Sequence, residues 1–249
     1  MMEIGPLTGI GEVARGADLG LILADALKPL RPSSGDVLVV TQKIVSKAEG
    51  RVVALDTVSP SARALEIARL TQKEPSFVEV VLSESIEVVR TAPNVLITRH
   101  RLGFVMANAG IDCSNIGPGA QNRALLLPAD PDASAGGLRA TLHEHLGVRL
   151  GIVISDTFGR PWRNGVVNVA IGAAGLPAIY DKRGMRDRDG RILQVTQVAF
   201  GDLIASAAGL VMGEAEEGIP VALLRGCNLP PQEVSAARLV RNLDEDLFR

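Results

Sequence analysis

Hydrophobic periodicity divides the chain into helices and strands of uneven spacing. Over 17–27, Leu19, Leu23, Ala26 and Leu27 recur on one helical face, and Pro29 stops the run. Residues 37–40 are wholly apolar, the pattern of a short strand covered on both faces. Ser59-Pro60 supplies an N-cap and a first-turn proline, which predicts a helix through about residue 70. A second helix is predicted from about Ser76, carrying Phe77, Val80, Val81 and Val88 until Pro93 breaks it. Residues 95–98 and 104–106 read as neighbouring strands. Further helices are predicted over 134–146, 202–212 and 234–240, and strands over 150–155, 192–198 and 221–224. The strand at 150–155 is expected to end on Asp156-Thr157. Helices and strands alternate without the regular spacing of a doubly wound sheet, so the class is α+β, mixed sheets with flanking helices. No linker, repeat or low-complexity tract interrupts residues 1–249. They read as one unit, with room for two intimately associated subdomains.

Composition narrows the class of protein. The chain has 249 residues, a formal net charge of -2 and 47% hydrophobic residues, which excludes a disordered chain. The longest uncharged stretch, 164–180, is too short and too broken by Gly and Pro for a membrane span. The N-terminal residues lack the order of a signal peptide, so a soluble cytoplasmic protein is expected. Near-neutral charge and only 3% aromatic residues argue against a nucleic-acid binder. Cys113 and Cys227 form no CxxC and no disulfide framework, and both read as small buried residues.

The familiar phosphate and metal motifs fail. No Gly-Lys pair exists, so there is no Walker loop. Gly9-Ile10-Gly11-Glu12-Val13-Ala14 fits a relaxed dinucleotide pattern, but the preceding residues, with Pro6, are not expected to form a strand. His143 and His145 are two apart on a predicted helix, which places them on different faces. Asp187-Arg188-Asp189-Gly190 starts like a calcium loop without its closing glutamate and reads as a turn.

Three carboxylates survive: Asp112 in a small, polar, Gly-containing segment, Asp156 just past an apolar strand with Thr157 beside it, and Glu214 after a helix. Oxygen donors of this kind suit Mg²⁺ or Mn²⁺, particularly when a substrate brings phosphates. On spacing alone they serve equally as caps and turn residues. Gln42, Lys43 and Lys47 follow the 37–40 strand, and one helical turn would put both lysines on one side. Solvated surface groups fit that spacing too. Residues 159–165 combine Arg160, Arg163, the only tryptophan and two glycines, the ingredients of a loop for an anionic ligand.

Four segments taken in order carry a resemblance: 35–40 running into Val45-Ser46-Lys47-Ala48-Glu49-Gly50-Arg51, then Asn108-Ala109-Gly110-Ile111-Asp112-Cys113-Ser114-Asn115, Ser155-Asp156-Thr157-Phe158-Gly159-Arg160 and Met212-Gly213-Glu214. Together they resemble the coenzyme F-420:L-glutamate ligases, in the form without a C-terminal flavin-binding domain. The resemblance implies a γ-glutamyl ligase-like fold in an intertwined homodimer. It implies addition of L-glutamate to the lactyl-phosphate tail of a deazaflavin coenzyme, driven by GTP through an acyl phosphate. Two divalent ions, Mg²⁺ or Mn²⁺, are implied, with K⁺ a further candidate. By position, Asp112 and Asp156 resemble ligands of one ion, and Thr157 with Glu214 ligands of the other. Nucleotide contacts are implied at Ile10, Gly11, Glu12, Val13, Gln42, Lys43, Lys47 and Asn115, and over 212–219, with Met212, Gly213, Gly218 and Ile219. Asp156 would be catalytic, with Arg160 or Arg163 holding an anionic substrate group. Small-molecule substrates are the partners implied; nucleic acid and membrane are not. A ligase with another acceptor and a non-catalytic GTP-binding module remain open beside this reading.

Overall fold

The computed structural model describes residues 1–117 and 121–246. In chain order the elements are β1 (Glu3–Pro6), α1 (Leu19–Leu27), β2 (Val37–Thr41), α2 (Gln42–Ala48), β3 (Val52–Ala54), α3 (Ala62–Thr71), α4 (Pro75–Ser83), β4 (Ser85–Ala92) and β5 (Val95–His100). There follow β6 (Val105–Ala107), β7 (Arg123–Leu125), α5 (Pro131–Leu146), β8 (Gly151–Arg160), β9 (Arg163–Ala174), β10 (Tyr180–Asp181), β11 (Gln197–Val198), α6 (Phe200–Met212) and β12 (Val221–Arg225). The class is α+β. Among the described residues no helix is long and apolar enough to cross a membrane.

A five-stranded sheet in the order β1-β12-β2-β8-β9 forms the centre. Only β2 and β8 run parallel; the other neighbours are antiparallel. Strand alternation sends Leu38 and Val40 to one face, against Leu23 and Leu27 of α1 and Leu138 and Leu142 of α5. Val37 and Val39 go to the other, against Ile204, Ala205 and Ala208 of α6. Burial on both faces is why this strand reads as an unbroken apolar run. A second core lies between α3, α4 and the smaller sheets, β4-β5-β6 and β3-β7.

Several expectations need correction. A strand does precede the Gly9–Ala14 pattern: β1 includes Pro6, tolerated because β1 is an outermost strand. No helix follows it until Leu19. The helix from Ser76 ends at Ser83, and Val88 lies in β4 instead. Its β-branched run pairs with β5 once the chain turns back. The strand expected at 150–155 continues through Asp156 to Arg160 and returns as β9, so residues 159–165 are a hairpin end rather than a free loop. Of the strand predicted over 192–198 only Gln197–Val198 forms, with Ile192 in an isolated bridge to Arg186. The closing helix over 234–240 is a single 3-10 turn, Ala236–Leu239. Neither cysteine is buried: Cys113 is exposed and Cys227 half-buried. The Asp187 turn forms as read, its Oδ1 accepting from the Asp189 and Arg191 N–H groups at 2.9 and 2.8 Å.

Candidate functional site

The sheet order assembles the site. Because β2 and β8 are parallel with Thr41 opposite Ser155, Gln42-Lys43, which follow β2, come out beside Asp156-Thr157, where β8 runs on past the end of β2. The antiparallel β12 begins at this same end, where the Thr41 N–H donates to Pro220 O at 2.9 Å, and this brings in residues 212–220. The antiparallel β1 leaves it there too, delivering Gly11-Glu12-Val13. Open α/β sheets bind ligands in the crevice beyond their strand ends. Here that crevice is a cavity of about 1080 Å³.

Its far wall comes from the second core. After β6, Asn108, Ala109 and Gly110 adopt three successive left-handed conformations, with φ of 52°, 53° and 70°. Ala109 is fully buried, and a left-handed alanine costs about 1–2 kcal/mol. Gly110 suits this turn, since a Cβ at its φ of 70° would be strained and would lie 2.8 Å from the movable Met106 Cε. This turn folds Asp112 into an antiparallel bridge with Leu125, its carboxylate towards Lys43. Strain of this kind recurs at functional sites.

The charged groups pair across the cavity. Lys43 Nζ donates to Asp112 Oδ2 at 2.6 Å and to Ser114 Oγ at 3.0 Å. Lys47, almost buried, donates to Glu12 Oε1 at 2.6 Å. Neither lysine is a freely solvated surface group. Glu214 accepts from Thr157 Oγ1 at 2.9 Å and from Asn168 Nδ2 at 2.6 Å. Burial works to raise the Asp112 carboxyl, but hydrogen bonds from Lys43 and Ser114 and the lysine charge hold it below its usual range. Burial pushes Asp156 up to about 7; the Thr157 backbone N–H, the Lys43 charge and Gln42 oppose this, while the Asp112 charge adds to it. Two neighbouring carboxyls are therefore set apart in acidity, a pattern concentrated at working sites.

Asp112, Asp156, Thr157 and Glu214 offer hard oxygens of the kind that Mg²⁺ or Mn²⁺ takes. Among the described residues no three His, Cys, Asp or Glu side chains group closely enough to hold an ion. Mg²⁺ is ordinarily bound by one or two carboxylates, the rest of its shell coming from water and substrate phosphate. Asp156, short of positive charge, is the group such an ion would relieve.

Of the residues singled out from the sequence, Gly11, Glu12, Val13, Gln42, Lys43 and Lys47 line the cavity. So do Asp112, Asn115, Asp156, Thr157, Met212, Gly213, Glu214, Gly218 and Ile219. Ile10 does not; it packs in the core shared by α1 and α5. Arg160 and Arg163 pair with each other at the far end of the hairpin, around Pro161-Trp162, and are not among the lining residues. Asn168, almost buried and bonded to Glu214, is the member that sequence reasoning missed. Its one signal was an amide within the apolar run Val166-Val167-Asn168-Val169-Ala170.

The sequence profile of the F420-0:Gamma-glutamyl ligase family matches residues 9–226. The chain belongs to this family. Coenzyme F420:L-glutamate ligase of Methanopyrus kandleri is 44% identical over 252 residues, covering 100% of this chain and 98% of that protein. The protein of the same name from Methanothermobacter thermautotrophicus is 46% identical over 223 residues, 89% of this chain and 85% of its own. That of Archaeoglobus fulgidus is 42% identical over 248 residues, 100% and 96% respectively. The family match spans the strand-end segments and the Asp112 wall alike, so all the walls described above lie within it.

Proposed function

We propose that this chain joins L-glutamate to the lactyl-phosphate carboxylate of a coenzyme F-420 precursor, with GTP as phosphoryl donor. One observation carries the reading: carboxylates and lysines separated by more than 100 residues converge on one cavity in a chain of this family. A carboxylate resists amines because it is anionic and lacks a leaving group. Transfer of the γ-phosphoryl group gives an acyl phosphate and GDP; attack by the glutamate amine then gives the amide and phosphate.

Catalysis of the first step is mainly alignment and neutralisation of phosphoryl charge. Asp112 with Asp156, and Thr157 with Glu214, would hold two divalent ions. Such ions would supply positive charge to offset the charge developing on the transferred phosphoryl group. Lys43 and Lys47 add positive charge on the triphosphate side, beside the backbone of Gly11–Val13 and the 212–219 segment. Asn115, which lines the cavity, would contact the nucleotide. Arg160 and Arg163 serve a substrate anion that extends past the cavity. A homodimer and K⁺ are part of the same proposal.

Incubation with GTP, Mn²⁺, L-glutamate and the deazaflavin precursor, read by mass spectrometry, is the direct test. The expected product carries one or more added glutamyl units and appears with GDP. GTP binding without GDP release in the full mixture would overturn the reading.

A further inference from the structure

Helix α6 packs chiefly against β9, one of the two outermost strands of the central sheet. The β8–β9 ladder is broken at one point: Ile154 pairs with Gly172, but Ser155 pairs with Ala170, leaving Ile171 unpaired. An extra residue of this kind reverses the facing of everything beyond it. In an unbroken ladder Val169 would stand opposite Thr157; past the bulge, Asn168 does. That reversal is what lets Nδ2 of Asn168 reach Glu214 Oε1 at 2.6 Å, beside the Thr157 hydroxyl at 2.9 Å from Oε2.

Two α6 side chains, four residues apart and so on one helix face, bond to the backbone of this bulged stretch. Asp202 Oδ1 accepts from the Ala170 N–H at 2.9 Å, and Ser206 Oγ donates to Asn168 O at 2.8 Å. A turn further on, Gly209 lets the helix approach the Asn168 amide; a Cβ there would lie 2.7 Å from Nδ2. Asp202 does not line the cavity.

We propose that Asp202 and Ser206 are positioning residues that hold β9 in its bulged register, keep the Asn168 amide on Glu214 and so set the Glu214–Thr157 side of the site. The effect on cation binding rests on the function proposed above; the effect on Asn168 does not.

The test follows the side-chain amide of Asn168 by NMR in protein labelled on asparagine nitrogen, together with Mn²⁺ affinity by calorimetry and steady-state kinetics. In Asp202→Ala the amide resonance should move to the position of a solvated asparagine. Mn²⁺ affinity should fall about 10- to 100-fold, as when a residue supporting a metal ligand is removed. The rate kcat should fall while KM for glutamate holds. Asp202→Asn keeps an acceptor oxygen and should restore all three. A folded Asp202→Ala with the wild-type Asn168 resonance overturns the proposal. If Asp202→Ala does not fold, Ser206→Ala decides by the same resonance, and an unmoved signal overturns the proposal. Failure of the wild-type protein to bind Mn²⁺ counts against the proposed function, while the resonance still decides the positioning.

Discussion

Glu84 and Asp156 are both withdrawn from water, and their surroundings drive them to opposite acidities. Glu84 ends α4 and is 12% exposed at its side chain. Burial opposes its charge, but the nearby His100 ring and hydrogen bonds from Arg101 and Arg51 bring it down to about 2. Arg51 Nη2 lies at 2.9 Å, Arg101 Nε at 3.0 Å and His100 Nε2 at 3.3 Å. The same arginines donate to Leu127 O and Ala129 O, so the knot ties α4 and the β5 turn to the segment leading into α5. Asp156 has the reverse balance. Its burial is met by one backbone N–H, a lysine already committed to Asp112 and the Gln42 side chain, and it stands at about 7. A carboxylate fully supplied with cationic donors holds structure; one left short of them is where an added cation gains most.

The contrast is testable at both ends. Asp156→Asn should reduce turnover by about 10²–10³-fold or more, the scale of losing charge stabilisation in a transition state. Its thermal melt should show an intact fold, because the amide replaces a poorly compensated charge. Wild-type turnover in that variant would erase the distinction. Glu84→Gln should instead lower stability by about 1.5–3 kcal/mol, since it takes the shared carboxylate from two partly exposed guanidinium groups and the buried His100. Chemical denaturation reads this directly, and a loss below that of an exposed ion pair would show the knot to be ornamental.

Lys47→Ala has a smaller effect. It removes an almost buried ammonium from the cavity wall and should raise the GTP requirement about tenfold, the scale of one hydrogen bond to a charged group. Unchanged nucleotide affinity would make Lys47 merely the partner of Glu12.

Stability against pH should show the comparison as two slopes of opposite sign. The Glu84 contribution is present above about pH 4.5 and is lost as pH falls towards 2. For Asp156 the unfolded chain releases its proton near 3.8 and the folded chain near 7, so this group lowers stability as pH rises across that interval. Unfolding free energies of the wild type, Glu84→Gln and Asp156→Asn across pH 3 to 8 separate the two; each variant should flatten its own window. Saturating Mn²⁺ should offset the second slope, because an ion on Asp156 displaces the proton.

Much of this was legible before the fold. Residues 37–40 announce a strand covered on both faces, α1 shows its apolar stripe, and α3 and α6 were placed, although the cap of α3 is Ser61 rather than Ser59. The segments around Asp112, Asp156 and Glu214 carry the family signal by their residue types and order. What failed to show were features that depend on pairing partners. β4 reads as a continuation of α4 because the run of valines fits either period until β5 is there to pair with it. Of hairpin β8–β9 only the buried start of β8 was legible; its exposed outer half carries neither alternation nor a uniform apolar run.

The sequence by itself determined which chemical groups are available and the family to which they belong, because both are properties of residue identity and order along the chain. The tertiary structure alone decided that Asn168 rather than a valine faces Thr157, that Asp156 rises while Glu84 falls, and that Arg160 and Arg163 stand away from the cavity. Those outcomes depend on a single extra residue in a ladder and on which charges burial brings together. Neither is a local property of the chain.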